Sequence, residues 1–574
     1  MTTTRDEPRP AGRLARVGAA ARRIASRRLG DREASTDVGP ASVVGHLVAA
    51  RDGGLWAYYE LADQRWSFLD LPRRERLAVA GASRWSALAP RAVKLRSSSR
   101  PYPAARWAAD LDADTPRPLP DVPGAVGYDE LLRRQAGGDE RVALSYAGWL
   151  VGQQSRVRTT RSGERLVTVG VRLVHGRRDL SIEDLATAVA WSGGTLPDGH
   201  LGRVTAELRR VGEIVAGPGW DGRPALPATL ERAMHTALAP GAPVPGADRV
   251  RGSLLDEADL RAISDAVRWE WEPFGSWVRV TWRRGLREQT HYATVLTAGR
   301  MPDTNFPANG ADPWMTLTDQ LDHPVEWSVS GYVRHGRKLE ESADWDRRRV
   351  ENLVRDYRQM GEPAPRSLLR EKAHAEQIVE EVTDGTPEVA GRFEGVIRAL
   401  VWGSTPEEVG ERAEGVRDHL LDAGRIEMHC PVGQTLKLAE FFPSAPWESR
   451  GYTRMLPVRY LAAGLPHVSA QLGDRAAPYP GVPPGPVPPA LMLAAHKRTD
   501  GPTTPAGRRP LLAEPDDDDA GGDGALAYQG VRLGKQVVVL DPSGPLARLC
   551  EVPELAPHAT GRLAVEPPHV LHWE

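Results

Sequence analysis

From residue 41 onward, the spacing of apolar positions switches between about two and about 3.6 residues, which predicts strands and helices in alternation. HLVAARDGGLWAYYEL sets two apolar runs around Asp52-Gly53-Gly54. This is hairpin chemistry, because glycine accepts the positive φ of a tight turn. A helix is expected from Arg73 to Leu88, where Leu77, Gly81, Trp85 and Leu88 recur at helical spacing. VKLRSS then reads as a strand, and ERVALSYAGWLVG and ERLVTVGVRLVHG read as a pair of strands. Ser181-Ile-Glu-Asp has the form of a capping box and opens another helix. Residues 41–216 are thus expected to form one α/β lobe. It ends in a Pro/Gly stretch near 217–226, and 217–255 reads as a linker with a short helix.

A second α/β lobe is expected over 256–475. WVRVTW and VEWSVSGYV alternate as half-buried strands do. A long helix is predicted from Ala343 to Met360, with Val350, Leu353, Val354 and Tyr357 on one stripe. Glu-Pro-Ala-Pro at 362–365 interrupts it before a second helix over Arg366–Val382. GRFEGVIRALVWG is a strand that runs into a helix start: Thr405 caps, Pro406 takes the first helical position and Glu408 completes the box. Val409, Ala413, Val416 and Leu420 form the inner face of that helix, and Arg425–Val432 is the returning strand.

The periodicity fails at both ends. Residues 1–40 are rich in Arg, Ala, Pro and Gly, with a thin apolar stripe of Leu14, Val17 and Ile24. They read as a disordered tail, with contact to an anionic membrane or DNA as the other reading. Residues 476–525 are loaded with Pro, Gly and Asp, including Asp516–Asp519, which read as a solvated loop or a loose cation site. Order is expected to return over 526–574, where a helix feeds the apolar strand Val537–Leu540.

Composition narrows the class. The 574 residues are too many for one ordinary domain. Lys+Arg 74 against Asp+Glu 76 leaves a net charge of -2, and so no global electrostatic case for nucleic acid. The cations are nearly all Arg, alongside heavy Ala, Gly and Pro, a pattern that coding bias explains. Two cysteines, Cys430 and Cys550, make neither a disulfide framework nor a zinc site. No apolar run reaches the length of a membrane span and no secretory signal opens the chain, so a cytoplasmic protein is expected.

Three segments together resemble the actinobacterial branch of the TraC/TrbE-type conjugative transfer (type IV secretion) ATPases. The first is LWAYYELADQRWSFLDLPRRERL with VKLRSSSRPYPAARWAADLDA. The second is AEFFPSAPWESRGYTRMLPVRYLAAGLPHVSAQLGDRAAPY, and the third is QVVVLDPSGPLARL. Their order along the chain matches the family over most of 41–560. The resemblance implies α+β N-terminal lobes followed by a RecA-like P-loop segment, with Mg-ATP as cofactor. It also implies homo-oligomers and, as partners, components of the conjugation or type IV secretion apparatus at the inner face of the cell membrane.

The catalytic motifs of that family are missing. A phosphate loop, G-x-x-x-x-G-K-[S/T], would be expected between Tyr479 and Ala525, and no such string occurs anywhere in the chain. Gly530-Val-Arg-Leu-Gly534-Lys535-Gln536 is one residue short, ends in Gln and precedes a strand rather than following one. Val537–Asp541 has the look of a Walker B strand or of a buried strand whose Asp541 caps the next turn, and only 33 residues follow it (574 − 541). His429 and Cys430 are adjacent on a strand, so their side chains oppose and share no metal. No catalytic, cofactor-binding or metal residue is therefore assigned. The expected function is a docking or assembly protein related to the transfer ATPases, or an inactive relic of one. The alternatives are an active motor whose sequence is frameshifted or truncated, and a single-stranded-DNA-binding accessory protein.

Overall fold

The computed structural model describes residues 39–469, apart from 67–68, 102–103, most of 115–162, 178, 245–253, 272–274, 285–286, 302–311, 384 and 447–451. The readings made above on residues 1–38 and 470–574 lie outside these. The described chain mixes helix and sheet, as its periodicity predicts.

The N-terminal elements are β1 (Pro40–Val44), β2 (Leu47–Ala50), β3 (Leu55–Glu60), β4 (Gln64–Arg65), α1 (Leu71–Ala87) and β5 (Ala92–Pro101). Then come α2 (Ala104–Asp114), β6 (Gly163–Arg172), α3 (Ile182–Ala190), α4 (Gly199–Val215), β7 (Arg223–Pro224) and α5 (Pro227–Leu238). The second half runs β8 (Leu254–Leu255), α6 (Glu257–Asp265), β9 (Val267–Trp271), β10 (Val278–Arg284), β11 (Arg287–Ala298) and β12 (Glu326–Arg334). Two long helices follow, α7 (Arg337–Gln359) and α8 (Arg366–Thr383), then α9 (Pro387–Ala390), β13 (Arg392–Gly403) and α10 (Pro406–Gly424). The last elements are β14 (Met428–His429), α11 (Gln434–Ala439), β15 (Arg454–Pro457), α12 (Val458–Gly464) and β16 (Val468–Ser469).

Local chemistry sets several of these boundaries. The Asp70 carboxylate accepts from Arg73 N–H at the start of α1, and Ser181 and Asp184 close the expected capping box at α3. At α10 the Thr405 hydroxyl caps Glu408 N–H as read, but the Glu408 carboxylate accepts from Ser404 N–H, one residue before the cap. Gly53, at φ 77°, turns β2 into β3 as the sequence predicts. One reading needs correction: Leu150, Val151 and Gly152 are helical, so ERVALSYAGWLVG does not end as a strand. Another correction falls on α7, where Val350 and Val354 are buried but Leu353 is 44% exposed. The buried stripe is narrower than the helical spacing predicts.

Fourteen strands join in one sheet, with the order β8-β1-β2-β3-β6-β5-β12-β13-β11-β10-β9 and β7, β14 and β15 paired beside that path. Strands from both sides of the 217–255 stretch therefore share a single sheet, and 39–100 with 165–470 forms one compact unit. The other unit is described chiefly in α2. On the first face, α1, α3, α4, α10 and α12 bury Trp85, Leu185, Val211, Val416 and Leu461 against Tyr59, Val169, Val329 and Ala399. On the second face, α5, α6 and α11 bury Leu230, Ile263 and Leu438 against Tyr58, Val280 and Val295.

The sheet repeats itself. β1-β2-β3-β6-β5 and β9-β10-β11-β13-β12 have the same strand order, and they meet through the antiparallel seam β5·β12. The registers agree as well. Adding 232 to β2 and β6 and 235 to β3 turns Leu47↔Ala57 into Arg279↔Tyr292, and Tyr58↔Gly170 into Ala293↔Trp402. The faces follow: Val48 and Val280 both lie on the second face, and Val169 and Val401 both on the first. Each half also carries its long insertion at the same crossover, from β5 to β6 and from β12 to β13.

Candidate functional site

At the seam the second face turns from apolar to charged. Alternation places Lys94 and Arg96 on β5, Glu326 and Ser328 on β12, and Arg398 on β13, all buried. Opposite them lie α5 and the turn after α11, Glu440–Ala445. Tyr58, on β3, completes the surround: its ring crosses β6 at Gly170, where a Cβ would sit 2.5 Å from the ring carbons, so glycine is required there by space.

Each charge has a defined partner. Arg398 grips Glu440 with two bonds, Nε to Oε2 at 2.8 Å and Nη2 to Oε1 at 3.2 Å, and also donates to Thr297 Oγ1. Arg96 donates to Glu326 Oε2 at 2.6 Å, Thr236 Oγ1 at 2.7 Å, the Phe441 carbonyl at 3.2 Å and the Ala233 carbonyl. Lys94 Nζ donates to the carbonyls of Phe442 at 2.7 Å and Ala445 at 3.2 Å. Ser444 N–H donates to the Tyr58 hydroxyl at 2.7 Å. Gln434 adds a mimic of strand pairing, since its amide accepts from Val295 N–H at 2.7 Å and donates to Val295 O at 3.1 Å.

Within these five ions, three cations face two carboxylates, and Lys94 is the one whose described hydrogen bonds go only to carbonyls. Burial pushes its ammonium down to about 7, aided by Arg96 and opposed by Glu440. Burial likewise raises the Tyr58 hydroxyl well above its ordinary value. A cavity of about 10 Å³ lies between Tyr58, Lys94, Thr168 and Pro443. Such a space is at the limit for one water molecule and takes no substrate. The arrangement is a clamp: it fixes the turn Glu440–Ala445 to the middle of the sheet by charge-assisted bonds.

Two smaller clamps repeat this logic. Glu381, near the end of α8, takes Arg392 of β13 at 2.6 Å and Arg459 of α12 at 3.1 Å. Glu207 of α4 takes Arg91 at 3.2 Å and the backbone N–H groups of Val174 at 2.7 Å and His175 at 3.1 Å.

The candidates singled out in the sequence fall elsewhere. Gly530–Gln536, Val537–Asp541 and Asp516–Asp519 lie outside the described residues. His429 ends β14 with its ring 5.8 Å from that of Tyr452, while Cys430 follows the strand and sits 3.4 Å from Gln434 Nε2. Among the described residues no group of three His, Cys, Asp or Glu is placed to hold a metal, and no helix is long and apolar enough to cross a membrane. The clamp is not visible in the sequence pattern, because Val93-Lys94-Leu95-Arg96 alternates as a strand with one wet face would. Its only sequence signal is that Glu440 stands second in the motif run AEFFPSAPW. Compared with protein-family models and with curated proteins, the chain matches none.

Proposed function

We propose that this chain is a docking or assembly component related to the transfer ATPases of conjugation and type IV secretion, without ATP turnover of its own. The observation that carries the reading is in the sequence: three family-like segments stand in order, while the phosphate loop expected between them is missing. Without consecutive loop amides and a P-loop Lys, nothing assigned in the chain neutralises the β and γ phosphates. The clamp supports the same reading, since it spends its charges on positioning a segment and has no room for a reactant. The segment it positions opens the run AEFFPSAPW, which in the family leads from the N-terminal region toward the motor.

The test is a titration of the full chain with Mg-ATP, read by equilibrium dialysis and by phosphate release. Neither saturable binding nor release above background is expected. Saturable binding with turnover would replace this reading with that of an active motor.

A further inference from the structure

The repeat makes the two ends of the sheet comparable. β1 ends the first half, and its outer edge is taken by an antiparallel partner, with Val43↔Leu255 and Val44↔Leu254. β9 holds the equivalent place in the second half, paired to β10 on one side, and no strand among the described residues takes its other edge. The strand is anchored from within: Trp269 Nε1 donates to the Leu238 carbonyl at 2.7 Å, and its ring packs on Phe442. A held strand whose outer backbone groups no described strand takes is a template for another strand.

Its side chains say which strand. Arg268 and Glu270 stand on the same face of β9, opposite Trp269, with their side chains 70% and 35% exposed. They pair with each other, and Glu270 also accepts from Arg279 of β10 at 3.3 Å, so a second copy would exchange these exposed pairs rather than satisfy lone charges. If two copies of β9 pair antiparallel about Trp269, Arg268 of each lies across from Glu270 of the other. The edge is thus complementary to itself in charge, whereas a strand with two like charges at these positions would be repelled. We propose that the outer edge of β9 pairs antiparallel with β9 of a second copy of this chain, joining two sheets across a two-fold axis. This interface is isologous. It rests on the sheet's topology and not on the docking role proposed above.

Sedimentation velocity of the full chain over a range of concentrations tests it. A reversible dimer is expected, weakened by salt because its two ion pairs are exposed. Arg268→Glu and Glu270→Arg each set like charges across the two-fold axis and should weaken the dimer about tenfold. The double swap R268E/E270R restores opposite charges and should return it to near the wild-type strength. Amide exchange in the wild-type chain gives a second reading that needs no variant: the N–H groups of 267–271 should exchange more slowly as concentration rises. A chain that stays monomeric overturns the proposal. So do a dimer that both single variants leave unchanged, a double swap that fails to restore it, and exchange in β9 that is independent of concentration.

Discussion

Lys94 shows how much a single buried charge reveals. Its ammonium titrates near 7 in the folded chain and near its ordinary value of about 10.4 when unfolded. Between those values the unfolded state holds more protons, so this group makes stability rise with pH across the window and leaves it flat below. Above about pH 10 the buried Tyr58 and Tyr59 act the other way, because their raised values favour the ionised, unfolded chain there. Lys94→Met should flatten the rise between about pH 7 and 9, as urea midpoints taken across that range will show. A slope equal to that of the wild type would assign the proton to another group. Arg398 behaves differently, since its partner is a carboxylate and both are buried. Arg398→Ala takes the guanidinium partner from the buried Glu440, at a cost of roughly 3–5 kcal/mol, whereas Arg398→Met with Glu440→Met should cost far less. A double-mutant cycle by denaturant unfolding measures that coupling. None of these residues stood out in the sequence, because a charge in a strand looks the same whether it faces water or a partner about 230 positions away, the separation of Arg96 and Glu326.

At the scale of elements the sequence was more informative, because hairpins, caps and helix stripes depend on neighbours within a few residues. The Asp52–Gly54 turn, the Ser181 box, the Thr405 cap and the break at Glu362–Pro365 all stand where the pattern predicts. The α7 stripe marks the limit. Helical spacing groups Leu353 with Val350 and Val354, but only the two valines reach the core. Val354→Ala should therefore cost about 1–3 kcal/mol, while Leu353→Ala should stay within about 0.5 kcal/mol. Thermal melts of the two variants check this, and equal shifts would mean that α7 buries a wider face than described.

For the whole molecule, the sequence divides at a Pro/Gly stretch that the sheet ignores. Composition marks where a chain bends, and it carries no record of which strands later lie side by side. Here β5 and β12 pair across the boundary, so the halves share hydrogen bonds as well as packing. Two lobes with a linker would unfold separately, whereas one sheet should unfold as one. Native-state hydrogen exchange in rising denaturant should release β3 and β11 together, at one midpoint. Distinct midpoints for the two strands would mean that the seam does not couple them.

The two insertions have a practical meaning. Twice, at the same crossover of the same motif, the chain leaves the sheet, runs on for tens of residues and returns without shifting the register. That crossover acts as a port: a segment spliced there leaves the strand register as it was, because the flanking strands are already tied to their neighbours, even where the segment reaches back to the sheet as Glu381 does to Arg392. The bend between α7 and α8 is such an opening, with Met360 65% exposed at its start. A fluorescent protein grafted there should leave the melting of the sheet unchanged, giving a reporter that can follow the chain in a cell while the clamp and the edge strand keep their work.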